Sequence, residues 1–216
     1  MSLVAVIDYG MGNLRSVAKA LEHVNSKVRV KVTADAADIS AADHIVFPGQ
    51  GAMGPAMSAL CERGLDEILL REMGHKPFLG VCLGLQVMME SSEENGGTQG
   101  LGLLPGQVKR FPDPHTGPEG GERLKVPHMG WNECHQVQAH PLWEGIDQDS
   151  RFYFVHSYYV TTDDPDEIAG SCDYGLNFVA AACRENMFAV QFHPEKSAQA
   201  GLKLLENFLG WDGQRD

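Results

Sequence analysis

The sequence predicts an α/β protein with a mostly parallel central sheet, helices on both faces of the sheet, and antiparallel strands in the C-terminal half. In the first 90 residues, apolar runs typical of strands buried on both faces alternate with stretches of helical periodicity. Such an alternation indicates βαβ units and a parallel sheet. After residue 130, strand-like segments follow one another with turns between them and no long helix until the C-terminus. That change of pattern indicates antiparallel hairpins.

The first half of the chain supplies the parallel strands. Apolar runs predict strands at 3–9, 27–32 and 44–48, and a fourth after Pro77. Further helices are predicted around 54–60 and in the run that ends at Met89. The first helix is predicted from apolar residues at helical spacing, which are Leu14, Val17, Ala18 and Leu21.

The second half supplies the antiparallel strands and the last helix. Residues 113–123, rich in Pro, Gly and charge, predict a mobile surface loop. The closing helix is predicted at 197–209, with Ala198, Leu202, Leu205 and Leu209 facing the core. The strand-like segments are 106–111, 131–137, 151–156, 158–162, 167–171, 178–184 and 187–192.

Length and composition predict a single globular domain, 1–216. The chain has 216 residues, 43% of them hydrophobic and 21% charged, so it can bury a stable core without disulfide bonds or structural metal ions. A net charge of −12 without a basic patch argues against nucleic acid or a membrane surface as a partner. No basic leader and no apolar run of roughly 18 residues occurs, and the five cysteines show no C-x-x-C pair. We therefore expect a cytoplasmic protein with reduced thiols and no metal site.

The stretch Gly80-Val81-Cys82-Leu83-Gly84 joins a buried strand directly to a helix. Glycines two residues before and after the turning residue let strand, turn and helix approach closely. This is the nucleophile-elbow arrangement, with cysteine in the nucleophile position, and the helix N-terminus favours a thiolate there. The alternative interpretation is that Cys82 is a small buried apolar residue, as most cysteines outside disulfides are.

A second glycine-rich stretch, Pro48-Gly49-Gln50-Gly51, follows the third predicted strand. Ligands of open α/β sheets bind at the carboxyl ends of strands, where Cys82 is also expected. Backbone N–H groups of Gly49, Gln50 and Gly51 could thus form an oxyanion hole with the N–H of Leu83. A plain turn is the alternative interpretation. The Gly10-x-Gly12 pair lacks the third glycine of a dinucleotide-binding motif, so no cofactor is expected.

His193 is the best candidate for a general base among the nine histidines. It follows an apolar strand, Pro194 stiffens the chain after it, and Glu195 could bond one ring nitrogen while the other faces a thiolate. That order of groups suits thiolate attack on a carbonyl, with imidazolium protonating the leaving group. His128 and His156, in more apolar surroundings, are also notable. The other histidines lie among polar or loop residues and are interpreted as having no catalytic role.

Gly-x-Cys-x-Gly followed at a distance by His-x-Glu resembles the class I glutamine amidotransferases. The resemblance runs from the first strand to the last helix and is strengthened by several further motifs. These are Tyr9-Gly10-Met11-Gly12-Asn13-Leu14, Glu90-Ser91-Ser92-Glu93-Glu94, Val126-Pro127-His128-Met129-Gly130-Trp131-Asn132, Tyr153-Phe154-Val155-His156-Ser157-Tyr158 and Gln191-Phe192-His193-Pro194-Glu195-Lys196-Ser197. The resemblance implies the class I glutamine amidotransferase fold, which is flavodoxin-like, and glutaminase activity.

The resemblance further implies roles for individual residues. Cys82, His193 and Glu195 would form the catalytic triad. The glutamine substrate would be held by Gln86, Glu94, Ser157 and Tyr158. Among family members the chain is most similar to glutaminases that pass ammonia to a separate (β/α)₈-barrel cyclase. That partner makes imidazole glycerol phosphate and an aminoimidazole carboxamide ribotide in histidine biosynthesis.

The partner is expected to dock on an apolar and aromatic cluster that reads as exposed. Its predicted members are Pro127, His128, Met129 and Trp131, with Asn13 and Lys196 near the same rim. The alternative interpretation is that Trp131 belongs to the core, since aromatic residues are most often buried.

Other functions stay open at this level. The chain could be the glutaminase of another synthase, such as one making anthranilate, GMP or pyridoxal phosphate. It could also be a cysteine hydrolase or peptidase on a related sheet, or a catalytically silent partner-binding subunit. The stretch 127–132 together with Lys196 favours the histidine-pathway glutaminase, and His193-Pro194-Glu195 speaks against a peptidase.

Overall fold

The computed structural model describes residues 2–117 and 121–214. The helices are α1 (Leu14–Val24), α2 (Ala36–Ala41), α3 (Met53–Glu62), α4 (Leu65–Glu72), α5 (Leu83–Met88) and α6 (Ala198–Gly210). The strands of the first half are β1 (Leu3–Ile7), β2 (Arg29–Thr33), β3 (His44–Gly49), β4 (Phe78–Cys82), β5 (Ser91–Ser92), β6 (Thr98–Gln99) and β7 (Gln107–Arg110). Those of the second half are β8 (His128–Glu133), β9 (His135–Gln136), β10 (Arg151–His156), β11 (Tyr158–Thr161), β12 (Ile168–Asp173), β13 (Asn177–Arg184) and β14 (Met187–Val190).

The centre of the main sheet is parallel. Within the described residues this sheet has twelve strands, and its path runs β2-β1-β3-β4-β14-β13-β11-β7-β5-β6. Strands β2, β1, β3, β4 and β14 pair in parallel, although β14 comes from the far end of the sequence. β3, β4 and β14 are buried along their whole length, which explains why their sequences are continuous apolar runs rather than alternating ones.

Helices cover both faces of the parallel part, and alternate residues of each strand point to opposite faces. On one face Val4 and Val6 of β1 lie in a core with α1 and α6. On the other face Ala5 and Ile7 lie in a core with α2, α3, α4 and α5. The α/β prediction with helices on both faces is therefore confirmed. No helix within 2–117 or 121–214 combines the length and apolarity that crossing a bilayer requires.

The C-terminal half is antiparallel, as predicted. β13 pairs with β14, β11 and β12, and β11 pairs with β7, all in antiparallel register. β8 and β10 form a separate two-stranded sheet, called here the ribbon, in which His156 lies opposite His128. The ribbon is joined directly to the main sheet, because a single residue, Ser157, separates β10 from β11.

The predicted inward face of the last helix was right for Leu205 and Leu209, which lie in or pack against the core, but wrong for Ala198. Leu205 is buried as expected, but Ala198 is exposed and Leu202 and Leu209 are only partly buried. The buried residues of α6 are Gly201, Leu204, Leu205 and Phe208. Gly201 explains the rotation, because an added Cβ would overlap the Pro194 carbonyl oxygen. The glycine at the closest contact determines which face of the helix points inward. The spacing of apolar residues alone does not predict such a contact.

Two further differences concern helices and the 113–123 loop. Helices α2 and α4 were not predicted, although Asp35 caps α2 by accepting hydrogen bonds from the N–H groups of Ala37 and Asp38. In the loop, residues 118–120 lie outside the described part. His115 is buried and bonds the Tyr174 carbonyl at 2.6 Å, so this part of the loop packs rather than projecting from the surface.

Candidate active site

Three neighbouring parallel strands end together and bring the candidate residues to one edge of the sheet. Gly49 at the end of β3 pairs in register with Cys82 at the end of β4. On the other side of β4, Val190 of β14 pairs with Val81, so the residues after β14 continue beside Cys82. The topology thus assembles segments that are about 30 and 110 residues apart in sequence, at the sheet edge where open α/β folds bind ligands.

Cys82 occupies a strained turn between β4 and α5. Its φ of 57° and ψ of −107° lie in a region of backbone conformation that residues other than glycine rarely adopt. Gly84 makes the turn possible, because a Cβ there would overlap the carbonyl oxygen of Phe47 on β3. Cys82 as a whole is 7% exposed and lines a cavity, so it can be reached from that cavity. This geometry fits the predicted nucleophile elbow.

His193 and Glu195 lie beyond β14 in a rigid turn. The Nδ1 atom of His193 donates to Oε1 of Glu195 at 3.0 Å, and both side chains are almost completely buried. The backbone N–H of His193 donates to the Tyr153 carbonyl at 2.9 Å. The Ser197 hydroxyl donates to the His193 carbonyl at 2.6 Å and so closes the turn. Nε2, the other ring nitrogen of His193, has no well-aligned partner among the described residues.

The surroundings of His193 hold its imidazole in the charged form. Burial by itself lowers the pKa of the ring, since it penalises the charge. The Cys82 sulfur and the Glu195 carboxylate outweigh that penalty and raise the pKa of His193 to about 9. At neutral pH the site therefore presents a protonated imidazole next to the Cys82 sulfur, an arrangement that activates a cysteine nucleophile.

Two glutamines form a buried network behind the cysteine. Gln86 Nε2 donates to the Tyr158 carbonyl at 3.1 Å and to Gln191 Oε1 at 3.0 Å. Gln191 Nε2 in turn lies 3.8 Å from the Cys82 sulfur as a donor. Because both amide hydrogens of Gln86 are used within the protein, only its carbonyl oxygen is available to a substrate. The sequence predicted no role for Gln191. The one indication of a role was a polar residue directly after the apolar run of β14.

The predicted glutamine-binding residues line one cavity together with Cys82 and His193. Its volume is about 470 Å³, within the roughly 300–1,000 Å³ typical of small-molecule sites. The lining residues are Gln50, Gly51, Cys82, Leu83, Gln86, Glu94, Pro127, Val155, His156, Ser157, Tyr158, His193 and Lys196. Val155 and His156 are members that had no predicted part in the pocket. Gly49 lies behind the cavity wall, against Leu83 and the hydroxyl of Tyr9.

Glu94 and Tyr9 have surroundings that the sequence did not reveal. One carboxylate oxygen of Glu94 accepts from the Met53 N–H at 2.6 Å, at the start of α3. Its second oxygen is not engaged in that bond. The Tyr9 hydroxyl is buried and makes no hydrogen bond within the described part of the chain. Burial raises the pKa of Tyr9 far above its ordinary value, with a smaller contribution from the charge of Cys82.

The predicted docking cluster is mostly exposed, with one correction. Met129 is 62% exposed and Trp131 is 45% exposed, so the core interpretation of Trp131 was wrong. Pro127 is exposed, and Asn13 and Lys196 are partly exposed. His128, in contrast, is 3% exposed and cannot belong to a docking surface. Side chains alternate along β8, so His128 points inward when Met129 and Trp131 point outward.

The site is built from protein groups suited to acyl transfer. Within 2–117 and 121–214, no group of three or more His, Cys, Asp or Glu side chains is arranged to hold a metal ion. Cys82 and the charged imidazole of His193 line one cavity, and the Glu195 carboxylate is bonded to the ring nitrogen Nδ1 of His193. That set of groups can cleave an amide through a covalent thioester.

Comparisons with known proteins point to the same chemistry. The family model described as glutamine amidotransferase class-I matches residues 5–210. The chain is 59% identical to imidazole glycerol phosphate synthase subunit HisH of Aromatoleum aromaticum, over 98% of this chain and 99% of that protein. It is 56% identical to the subunit of the same name from Nitrosomonas europaea, again over 98% and 99% of the two chains.

Solved structures share the fold at low sequence identity. The structure of PurLQS from Thermotoga maritima superposes with a TM-score of 0.73 at 16% identity, covering 97% of this chain and 98% of that one. A crystal structure described as glutamine amidotransferase superposes with a TM-score of 0.70 at 16% identity, covering 96% and 97%. These likenesses establish the fold that the sequence resemblance implied.

Proposed function

The chain belongs to the class I glutamine amidotransferases, and from this premise we propose that it is the glutaminase subunit of an imidazole glycerol phosphate synthase. The observation that carries the proposal is that Cys82 and His193 line a single cavity, with Glu195 bonded to His193, in a chain similar throughout its length to HisH subunits. The enzyme hydrolyses glutamine to glutamate and ammonia. Ammonia is then used by a partner cyclase in histidine biosynthesis.

The proposed reaction proceeds through a thioester on Cys82. The sulfur attacks the side-chain amide carbon of glutamine, and the C–N bond breaks as the His193 imidazolium gives its proton to the departing ammonia. Water, deprotonated by the now neutral His193, then attacks the thioester. The C–S bond breaks, glutamate leaves, and the imidazolium is restored. Glu195 holds the ring through Nδ1, so Nε2 is the atom that transfers the proton in both steps.

The proposed oxyanion hole combines Leu83 with the Gly49–Gln50–Gly51 stretch. The first N–H groups of α5 have no acceptor within the helix, so the N–H of Leu83 is available to a developing negative charge. Gln50 and Gly51 line the same cavity, and Gly51 has a φ of 97°. Glycines on both sides of Gln50 make rotation of its peptide groups inexpensive. We propose that this loop reaches its productive arrangement only when the cyclase is bound.

The remaining cavity residues suit glutamine as the substrate. Glu94 can attract the α-ammonium group through the carboxylate oxygen not bonded to Met53. The oxygen of Gln86 and the backbone at Ser157 and Tyr158 line the same cavity and provide further polar groups. These assignments follow the family resemblance, and the shared cavity supports them. A single domain over 1–216 likewise stays a prediction.

The proposed docking surface for the cyclase comprises Pro127, Met129 and Trp131, with Asn13 and Lys196 at its edge. Exposed Met and Trp on one strand face are the kind of residues that anchor protein interfaces. The surface is continuous with the active site, because Pro127 and Lys196 also line the cavity. Ammonia released at Cys82 thus has a short distance to travel to the bound partner.

The test is the rate of glutamate release by the purified chain, alone and with the cyclase and its nucleotide substrate. We expect a poor glutaminase that the partner accelerates by about 10²- to 10³-fold, the effect of completing one oxyanion-hole donor. Trp131→Ala should weaken complex formation by at least about 30-fold, since interface anchors of this kind contribute 2 kcal/mol or more.

The matched control is Leu70→Ala, which removes a similarly exposed apolar side chain from α4. It should bind the cyclase like the wild type. A fully active isolated chain, or normal coupling by a folded Trp131→Ala protein, would contradict the docking proposal. Glutamate release with no ammonia-dependent product in the presence of this cyclase would instead indicate a glutaminase of another synthase. No glutamate release at all would indicate a catalytically silent subunit.

A further inference from the structure

The inner face of β8 carries polar side chains where an apolar face would be expected. Met129 and Trp131 point outward, while His128 and Asn132 point inward. His128 is stacked between Phe154 and Tyr174, with ring centroids 4.9 and 4.0 Å away. A polar ring enclosed in this way is costly unless its nitrogens are hydrogen-bonded.

The hydrogen bonds of His128 and His156 determine where their protons lie. His156 Nδ1 is 2.8 Å from the Tyr158 carbonyl oxygen, which can only accept, so this nitrogen carries the proton. In a neutral ring, Nε2 of His156 is then an acceptor, and His128 Nδ1 at 2.9 Å must be its donor. Nε2 of His128 is left as an acceptor and faces Asn132 Nδ2 at 3.3 Å.

The hydrogen bonds from Asn132 through His128 and His156 to the Tyr158 carbonyl form one series. Every donor in this series faces an acceptor only while both imidazole rings are neutral. Burial favours that state: it lowers the pKa of His128 to about 4 and that of His156 to about 3. The charges that face the pair are those of His115 beside His128 and of His193 beside His156, and both disfavour a further positive charge.

The series ends on the wall of the glutamine cavity. The Tyr158 carbonyl that accepts from His156 also accepts from Gln86 Nε2 at 3.1 Å. Gln86 is in turn bonded to Gln191, whose amide approaches the Cys82 sulfur. One backbone oxygen therefore receives two hydrogen bonds, from the ribbon on one side and from α5 on the other.

We propose that His128 and His156 are positioning residues for glutamine binding. The pair fixes the Tyr158 carbonyl, and through it the orientation of the Gln86 amide, so that the Gln86 oxygen faces the substrate. It also fastens the cavity wall to β8, the strand whose outer face carries Met129 and Trp131. This inference rests on the proposed glutaminase function and adds two residues that position its substrate site.

The test compares three variants of the complete complex with saturating cyclase. His128→Phe keeps an aromatic ring between Phe154 and Tyr174 but removes the donor to His156. We expect its KM for glutamine to rise about tenfold, the effect of leaving one buried acceptor without its hydrogen bond. Its kcat should change by less than about threefold, because no group that touches the reacting atoms is altered.

His128→Asn is the conservative variant, since its amide can place a donor near the position of Nδ1. It should restore most of the wild-type KM even though it removes the stacked ring. His44→Phe is the matched control: His44 is another buried histidine bonded to a backbone carbonyl, that of Trp211 at 3.1 Å, but it lies at the opposite end of β3. Its KM should equal that of the wild type.

Several outcomes would overturn the inference. An unchanged KM in His128→Phe, or an equal rise in His44→Phe, would show that the pair does not position the site. If His128→Phe does not fold, His128→Asn decides alone, because a raised KM there would contradict a role for the donor. The wild-type complex separates this inference from the proposed function: if it lacks glutamine-dependent synthesis, the function is wrong regardless of the variants.

Discussion

His193 and His156 line the same cavity and are both buried, yet their pKa values move in opposite directions. The pKa of His193 is raised to about 9, and that of His156 is lowered to about 3. Burial disfavours the charged ring in both cases. The difference comes from the neighbours: a sulfur and a carboxylate surround His193, whereas His156 contacts a carbonyl oxygen and a neutral imidazole.

This comparison shows that burial does not determine the role of a histidine. A charged ring beside Cys82 can stabilise a thiolate and protonate a leaving group, so His193 suits the reaction itself. A neutral ring has one donor and one acceptor in fixed positions, so His156 suits the ordering of a binding wall. Both residues are connected to the ribbon: the backbone N–H of His193 donates to the Tyr153 carbonyl, and His156 is part of β10.

The largest expected effect follows from removing the sulfur. Cys82→Ala should reduce glutamine-dependent synthesis by about 10⁶-fold, as loss of a nucleophile does in other triad enzymes. Synthesis with added ammonia should persist, because the cyclase needs only the nitrogen. The pKa of His193 should fall, since Cys82 is one of the two groups that raise it. Steady-state assays with each nitrogen source and NMR titration of the histidine ring measure these effects.

A labelling control identifies the nucleophile independently. A glutamine-analogue electrophile at substoichiometric amount should modify Cys82 at neutral pH. A hydrogen bond to Asp66 raises the pKa of Cys61, and burial raises the pKa of Cys172 to about 12, which suppresses their thiolates. Labelling of Cys61 or Cys183 instead of Cys82 would contradict the assignment.

A smaller effect is expected from the carboxylate that orients the ring. Glu195→Gln should lower kcat by about 10⁴-fold, compared with about 10⁶-fold for His193→Ala, because an orienting group is less costly to lose than the base. The pKa of His193 should fall in Glu195→Gln, which makes its environment more like that of His156. Equal losses in the two variants would mean that Glu195 does more than orient the ring.

The sequence predicted the parallel half, and the proximity of Cys82 to His193, for a physical reason. Strands buried on both faces are continuous apolar runs, and their carboxyl ends must share an edge, so Cys82 and His193 could be placed together. The two-residue spacing between His193 and Glu195 likewise predicted the hydrogen bond that joins them. Boundaries differ from the predictions by a few residues, as at β2 and β14.

The ribbon was harder to predict because its polarity is inverted. In β8, Met129 and Trp131 face outward while His128 and Asn132 face inward, the reverse of the usual strand pattern. Composition alone cannot distinguish an exposed histidine from one buried in a hydrogen-bonded series, so His128 was wrongly placed on the docking surface. The contact of Gln191 with Cys82 could not be predicted either, because it depends on pairing between strands that are distant in sequence.

The smallest expected effect concerns stability and pH, and it has opposite signs for the two kinds of histidine. His128 and His156 have folded-state pKa values of about 4 and about 3, below the ordinary value of 6.5. As pH falls below about 6.5, the unfolded chain takes up protons that the folded chain refuses, so the free energy of unfolding declines toward pH 4. His193, with a raised pKa, stabilises the fold fully below about pH 6.5 and loses that contribution as pH rises through about 9.

Urea denaturation of the variants over the range from about pH 4 to pH 10 separates the two contributions. His44, whose pKa is lowered mainly by burial, adds to the acid sensitivity of every variant except its own, so differences from the wild type are compared. His128→Phe should lose less stability than the wild type between pH 6.5 and 4 and behave like it above pH 7. Glu195→Gln should show the reverse, with a flatter profile between pH 6.5 and 9. Profiles that change in the same window for both variants would mean that the neighbours of the two rings do not set their charge states separately.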